Sequence, residues 1–151
     1  MTVRGLVVAL AAAGAAACVT PAPRPLVLGA DVCTQCHMTF ADPRFGAELV
    51  TTTGKVLVFD DAGCLATYLI DPAEPSERWH SMWVMDYLRP DSLIPADQAI
   101  FLRSDSLRTP MDHRLVAVTP GPAADSLQAA LGAARLDWAG VRERVRARAG
   151  P

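Results

Sequence analysis

Six consecutive residues hold most of the reactive chemistry of this 151-residue chain: Cys33-Thr34-Gln35-Cys36-His37-Met38. Two thiols, an imidazole and a thioether in one stretch suit four chemistries. Cys-x-x-Cys-His is the attachment signature of haem c, with thioether bonds to both cysteines and the histidine as axial ligand. Cys33 and Cys36 also make half of a structural zinc site, to be completed by Cys64, His80 or His113. Closed zinc sites usually recruit a second short-spaced pair, however, and none is present. A Cys-x-x-Cys pair can instead cycle between dithiol and disulfide, or rest as a structural disulfide. The fourth chemistry is a soft-metal site, because thiolate and thioether sulfurs select Cu(I) over hard cations.

Spacing favours the fourth without closing the others. Met38 lies two residues beyond Cys36, so both sulfurs share a face if the segment is extended. Pro110-Met111-Asp112-His113 supplies a second thioether and imidazole, also two apart. Two sulfur-bearing segments could therefore close on one ion, with Cys33, Cys36, Met38, Met111 and His113 as candidate donors. Small haem domains are mostly helical around their motif, whereas β-rich sequence follows this one. A redox Cys-x-x-Cys pair usually opens a helix in a βαβ setting, which is missing here. Other residues read more plainly. The His37 side chain should point away from Cys36 and Met38, and His80 has no supporting pattern. Cys64, in an apolar helical run, reads as a buried inert thiol, and Met82 and Met85 read as core filler.

The elements that must position these residues follow from periodicity and breakers. Phe45–Thr52 and Lys55–Phe59 read as a hairpin about the Thr53-Gly54 turn. Asp60 and Asp61 sit where a helix wants an N-cap and early negative charge. Ala62–Ile70 follows at helical spacing, and Asp71-Pro72 stops it. A Pro/Glu loop spans Asp71–Arg78. His80–Tyr87, Ala99–Arg103 and Arg114–Val118 read as strands, with a short helical turn at Pro95–Gln98. Ala123–Leu131 reads as a helix closed by Gly132. Trp138–Ala149 reads as a second, whose Arg142, Arg144, Arg146 and Arg148 form a solvated C-terminus. The fold class is α+β, with antiparallel strands and helices on one face.

Residues 1–17 form a positively charged start, an apolar alanine-rich run and small residues before Cys18, which is the pattern of a secretory signal. Ala15-Ala16-Ala17-Cys18 resembles a bacterial lipobox, making Cys18 the lipidation site and the mature protein a membrane-anchored lipoprotein on the periplasmic side. Residues 18–30, rich in proline, read as the tether. Residues 31–148 then form the folded domain, in units of about 31–79 and 80–148. Three cysteines in an extracytoplasmic domain leave at least one thiol unpaired within the chain. The chain is 51% hydrophobic with 14 basic and 16 acidic residues, for a net charge of −2. That composition is globular and lacks the basic footprint of a nucleic-acid binder. Phosphate-loop and hydrolase signatures are absent too, so no enzyme activity is expected.

The succession Cys36-His37-Met38, Phe59-Asp60-Asp61, Tyr68, Val84-Met85-Asp86-Tyr87 and Pro110-Met111 resembles the NosL family of nitrous-oxide-reductase accessory lipoproteins. The resemblance spans about Cys33 to Trp138. It implies a membrane-anchored Cu(I) chaperone built from two ββαβ units, similar to the organomercurial lyase fold. It also implies a copper-accepting client enzyme, nitrous oxide reductase or another copper protein, and an ABC-type membrane complex as partner. The family's Cys-Gly-Met and Pro-Met-Gly motifs fall on Cys36-His37-Met38 and Pro110-Met111-Asp112, which makes Cys36, Met38 and Met111 the copper ligands. His37 and Asp112 stand where those motifs carry glycine.

Overall fold

The structure, a computed structural model, describes residues 20–71 and 78–150. The signal segment, Cys18 and most of the Pro/Glu loop lie outside the described residues. Within them the order is β1 (Ala47–Thr51), β2 (Val56–Phe59), α1 (Ala62–Ile70), β3 (Trp79–Asp86), β4 (Arg89–Pro95), β5 (Ile100–Arg103), β6 (Leu115–Val118), α2 (Pro122–Leu131), β7 (Ala134–Leu136) and α3 (Trp138–Ala149).

The order ββαβ occurs twice, as β1-β2-α1-β3 and β5-β6-α2-β7, and the pairing repeats with it. β1 lies between β2 and β3, antiparallel to both. β5 lies between β6 and β7, again antiparallel to both. Counted by pairing, β3 closes the first unit. The units join where Asp86 of β3 faces Ala117 of β6, and that contact is parallel. The fold is therefore α+β, with a mixed sheet in place of the all-antiparallel one expected. The Tyr87 N–H donates to the Ala117 carbonyl at 2.8 Å and fixes the junction.

Two strands escaped the sequence reading. β4 contains Pro90, Asp91 and Pro95, residue types that disfavour strands, and it pairs with β3 alone among the described strands. An edge strand tolerates proline because an outward N–H makes no ladder bond. β7 has three residues, too few for a periodic signal.

The helices do not share one face. α1 and α3 cover one side, where Leu49, Phe59, Leu65, Phe101, Trp138 and Val141 pack together. α2 covers the other, over Ile100, Leu102, Val116 and Val118. The reason lies in β6, whose residues Leu115–Val118 are buried without alternation. A strand apolar on both faces needs cover on both. Trp138, Val141 and Val145 form the buried stripe of α3, and Arg144, Arg146 and Arg148 face solvent as expected.

The segment read as a tether runs onto the fold. Arg24 pairs with Asp31, and the Arg24 backbone N–H donates to Glu48 Oε2 at 3.1 Å. A Cβ on Gly46 would lie 2.4 Å from Leu26 Cδ1, so only glycine lets this segment approach β1 so closely.

Candidate metal centre

Residues 33–38 are a tight loop, not an extended strand. The Cys33 N–H donates to the Met38 carbonyl at 2.8 Å and the His37 N–H to the Cys33 carbonyl at 3.0 Å. An isolated bridge between Val32 and Thr39 closes the base. The Thr34 N–H donates to the Val58 carbonyl at 2.8 Å and pins the loop to β2. The shared-face expectation for Cys36 and Met38 fails for this reason. Cys36 is half-buried, while Met38 is 51% exposed. The second motif is also a turn: the Asp112 N–H donates to the Thr109 carbonyl at 3.1 Å, and Asp112 and Arg114 have φ of 54° and 58°. Met111 is 37% exposed at its apex.

Two adjacent carboxylates hold both loops. Asp60 and Asp61 occupy the β2–α1 junction, and both are buried. Asp60 Oδ2 accepts from the Cys36 thiol at 3.2 Å. Asp61 caps α1, its Oδ1 accepting from the Cys64 N–H at 2.7 Å. Asp61 also meets His113 Nδ1 at 2.9 Å and the Met111 N–H at 3.5 Å. The first unit thus grips the motif loop of the second, and Cys36 and Met111 are brought to the same junction.

Two overlapping sets of donors result. The ligand atoms of Cys33, Cys36, Asp60 and Cys64 lie within 4.8 Å of one another, as do those of Asp61, Cys64 and His113. All three cysteines among the described residues are free thiols. Hydrogen bonding from Cys64 draws the Cys33 thiol down to about 6. Burial pushes the Cys36 thiol up to about 12, helped by the neighbouring Cys33 and Asp60. Cys64, donating to Cys33 and buried, is pushed up. Three mutually close thiols are soft donors, and the one carboxylate among them is a harder oxygen donor; Met38 and Met111 add exposed thioethers on the two motif loops.

The arrangement sorts the candidates. Cys33 and Cys36 enter one cluster, and His113 joins the other with Nδ1 committed to Asp61, which leaves Nε2 as its second ring nitrogen. His37 is exposed, outside both clusters. Cys33 is fully buried, a placement unsuited to haem attachment, which needs both thiols facing one porphyrin edge. Sequence reasoning missed Asp60 as a thiol partner, and it weighed Cys64 as a zinc ligand before reading it as an inert core thiol. Asp60 was legible as a helix-start residue, and nothing in its local pattern marks a thiol partner. Cys64 sits among apolar neighbours on α1, which is the signature of core.

A two-unit α+β scaffold with a buried thiol–carboxylate cluster and exposed methionines on its two motif loops has the donors of a metal-binding protein. Residues 26–145 match the model of the NosL family, and the chain belongs to that family. The crystal structure of the copper chaperone NosL from Shewanella denitrificans aligns with a TM-score of 0.66 at 20% identity, covering 78% of this chain and 94% of that one. That likeness is one of fold. The search of curated proteins matched none. His37, at φ 62°, and Asp112, at φ 54°, adopt the left-handed backbone at the two positions where the family motifs named above carry glycine. Histidine and aspartate tolerate this region better than most non-glycine residues.

Proposed function

We propose that this protein is a metallochaperone, not an enzyme, and that its cargo is Cu(I), held by Cys36, Met38 and Met111 with Cys33 and His113 alongside. One observation carries the reading: Asp60 and Asp61, adjacent in sequence, bond Cys36 on one side and the Met111 backbone and His113 on the other. Contact of both motif loops with this carboxylate pair supports ligands drawn from both units. The copper chaperone NosL of similar fold supports the same cargo.

The residues present fit a soft cation. Thiolate and thioether donors select Cu(I), and the exposed methionine side chains leave room for an incoming ligand. Delivery then proceeds by associative exchange, in which a partner's donor adds before a chaperone ligand departs. Asp61 keeps the second-unit loop seated while this occurs. The protein is anchored through lipid on Cys18 at the periplasmic side of a membrane. Its client is a copper enzyme of the nitrous oxide reductase kind, reached with an ABC-type membrane complex. The family resemblance and the lipobox-like Cys18 support this placement.

The test is anaerobic titration of Cu(I) against a competing chelator, with the absorption spectrum recorded alongside. A colourless complex that outcompetes the chelator is expected. A Soret band with covalent haem mass, or failure to take Cu(I) from the chelator, overturns the reading.

A further inference from the structure

The sulfur atoms around the junction divide into two layers. Met38 and Met111 are exposed, at 51% and 37%, whereas Cys33 and Cys64 are 0% and 2% exposed. Cys36, half-buried, stands between the layers. We propose a second Cu(I) position in the inner layer, formed by Cys33, Cys36 and Cys64 with Asp60 behind them. This inference rests on the Cu(I) reading above and extends it from one ion to two.

Three observations carry it. The three sulfurs and an Asp60 oxygen lie within 4.8 Å of one another. They come from three elements packed into the core: the loop before β1, the β2–α1 junction and the first turn of α1. Such a set is preorganised and loses little conformational freedom on binding. Second, Asp60 is 2% exposed and its Oδ1 has no hydrogen-bond partner among the described residues. A buried carboxylate oxygen left unpaired is costly unless something completes it. Third, an outer site built from Cys36, Met38 and Met111 uses one thiol of three. Cys33 and Cys64 remain, and packing alone does not explain them. Both belong to the apolar core, but unlike inert core thiols they also share their space with a buried carboxylate.

Cys36 belongs to both layers, so its sulfur can bridge them. A cation entering at the methionines can pass to the inner thiols without leaving sulfur coordination, and return by the same route. Each thiol that binds gives up its proton to solvent. The inner position is a store sheltered from competing ligands, and the outer one is the point of exchange.

Native mass spectrometry of the full chain, titrated anaerobically with Cu(I) alone, tests this. Two equivalents are expected for the unaltered protein. Met38→Leu/Met111→Leu, which changes only exposed side chains, should retain one equivalent with sulfur neighbours and at most one oxygen in X-ray absorption. Cys64→Ser should also retain one, and thermal melting reports whether it folds. The inference is overturned if the unaltered protein stops at one equivalent, if the methionine double variant binds none, or if a folded Cys64→Ser still takes two. Failure to bind any Cu(I) falls on the underlying copper reading and is told apart by the zero stoichiometry.

Discussion

His113 Nδ1 lies 2.9 and 3.0 Å from the two carboxylate oxygens of Asp61, a bond between residues 52 positions apart. Asp61 is also the N-cap of α1. One side chain therefore starts the helix that carries Cys64 and seats the loop that carries Met111. Start of helix and closure of site are coupled through it.

Separating those roles is straightforward. Asp61→Ala removes both, and loss of a cap alone costs about 1 kcal/mol. Asp61→Asn keeps a good cap while losing the carboxylate. Urea denaturation should show the Ala variant destabilised by about 1–3 kcal/mol, with the Asn variant nearer the unaltered protein. Equal destabilisation would mean that capping is not Asp61's main contribution.

Gly63 lies directly beneath the His113 ring. A Cβ there would come within 2.1 Å of His113 Cγ. Gly63→Ala should displace the imidazole and destabilise the fold by about 1–3 kcal/mol, the usual range for overpacking. The His113 ring resonances in NMR should shift, and unchanged resonances would contradict the contact.

His37 has φ 62° and an exposed side chain. His37→Gly relieves a left-handed backbone worth roughly 1–2 kcal/mol, offset in part by glycine's greater unfolded-state entropy. A net gain of about 0.5–1 kcal/mol in denaturation is expected. The same change erases the Cys-x-x-Cys-His motif, and Cu(I) affinity should be untouched. A drop in affinity would make His37 a ligand.

Met111→Leu tests the outer site itself. Its exposed side chain contributes little to packing, so stability should stay within about 0.5 kcal/mol. Chelator competition should show Cu(I) affinity lowered about tenfold or more, equivalent to about 1.4 kcal/mol. Retained affinity would remove Met111 from the site.

Glu48 gives the fold a pH dependence away from the thiols. It is fully buried on β1, Oε1 has no hydrogen-bond partner among the described residues, and burial raises its carboxyl from 4.5 to about 7. The folded state holds a proton that the unfolded state has lost between those values. Stability is therefore full below about 4.5 and falls by up to about 1.4 kcal/mol per pH unit as pH rises toward 7. Glu48→Gln should flatten this slope in denaturation curves from pH 4 to 8.

Much of the scaffold was legible. α1 at Ala62–Ile70 and α3 at Trp138–Ala149 have the bounds that periodicity and breakers predict. The β1–β2 hairpin and the left-handed Gly132 closing α2 were equally plain. These features depend on neighbours a few residues away, within reach of a local pattern. β4 was not legible, because its prolines become acceptable only at a sheet edge. The placement of α2 opposite α1 and α3 was hidden as well, since a buried strand does not say what covers each face.

Sequence alone determined the donors: the thiols, the thioethers, the carboxylate pair that begins α1, and the likeness to a family that carries them. Tertiary structure decided how they are grouped. Whether Cys64 is inert core or a partner of Cys33 and Asp60 depends on where the loop before β1 lands on α1. Whether the Met111 loop reaches Asp61 depends on the parallel join of β3 to β6, which sets the second unit against the first. Both are long-range outcomes of packing, and residue type and spacing do not encode them locally.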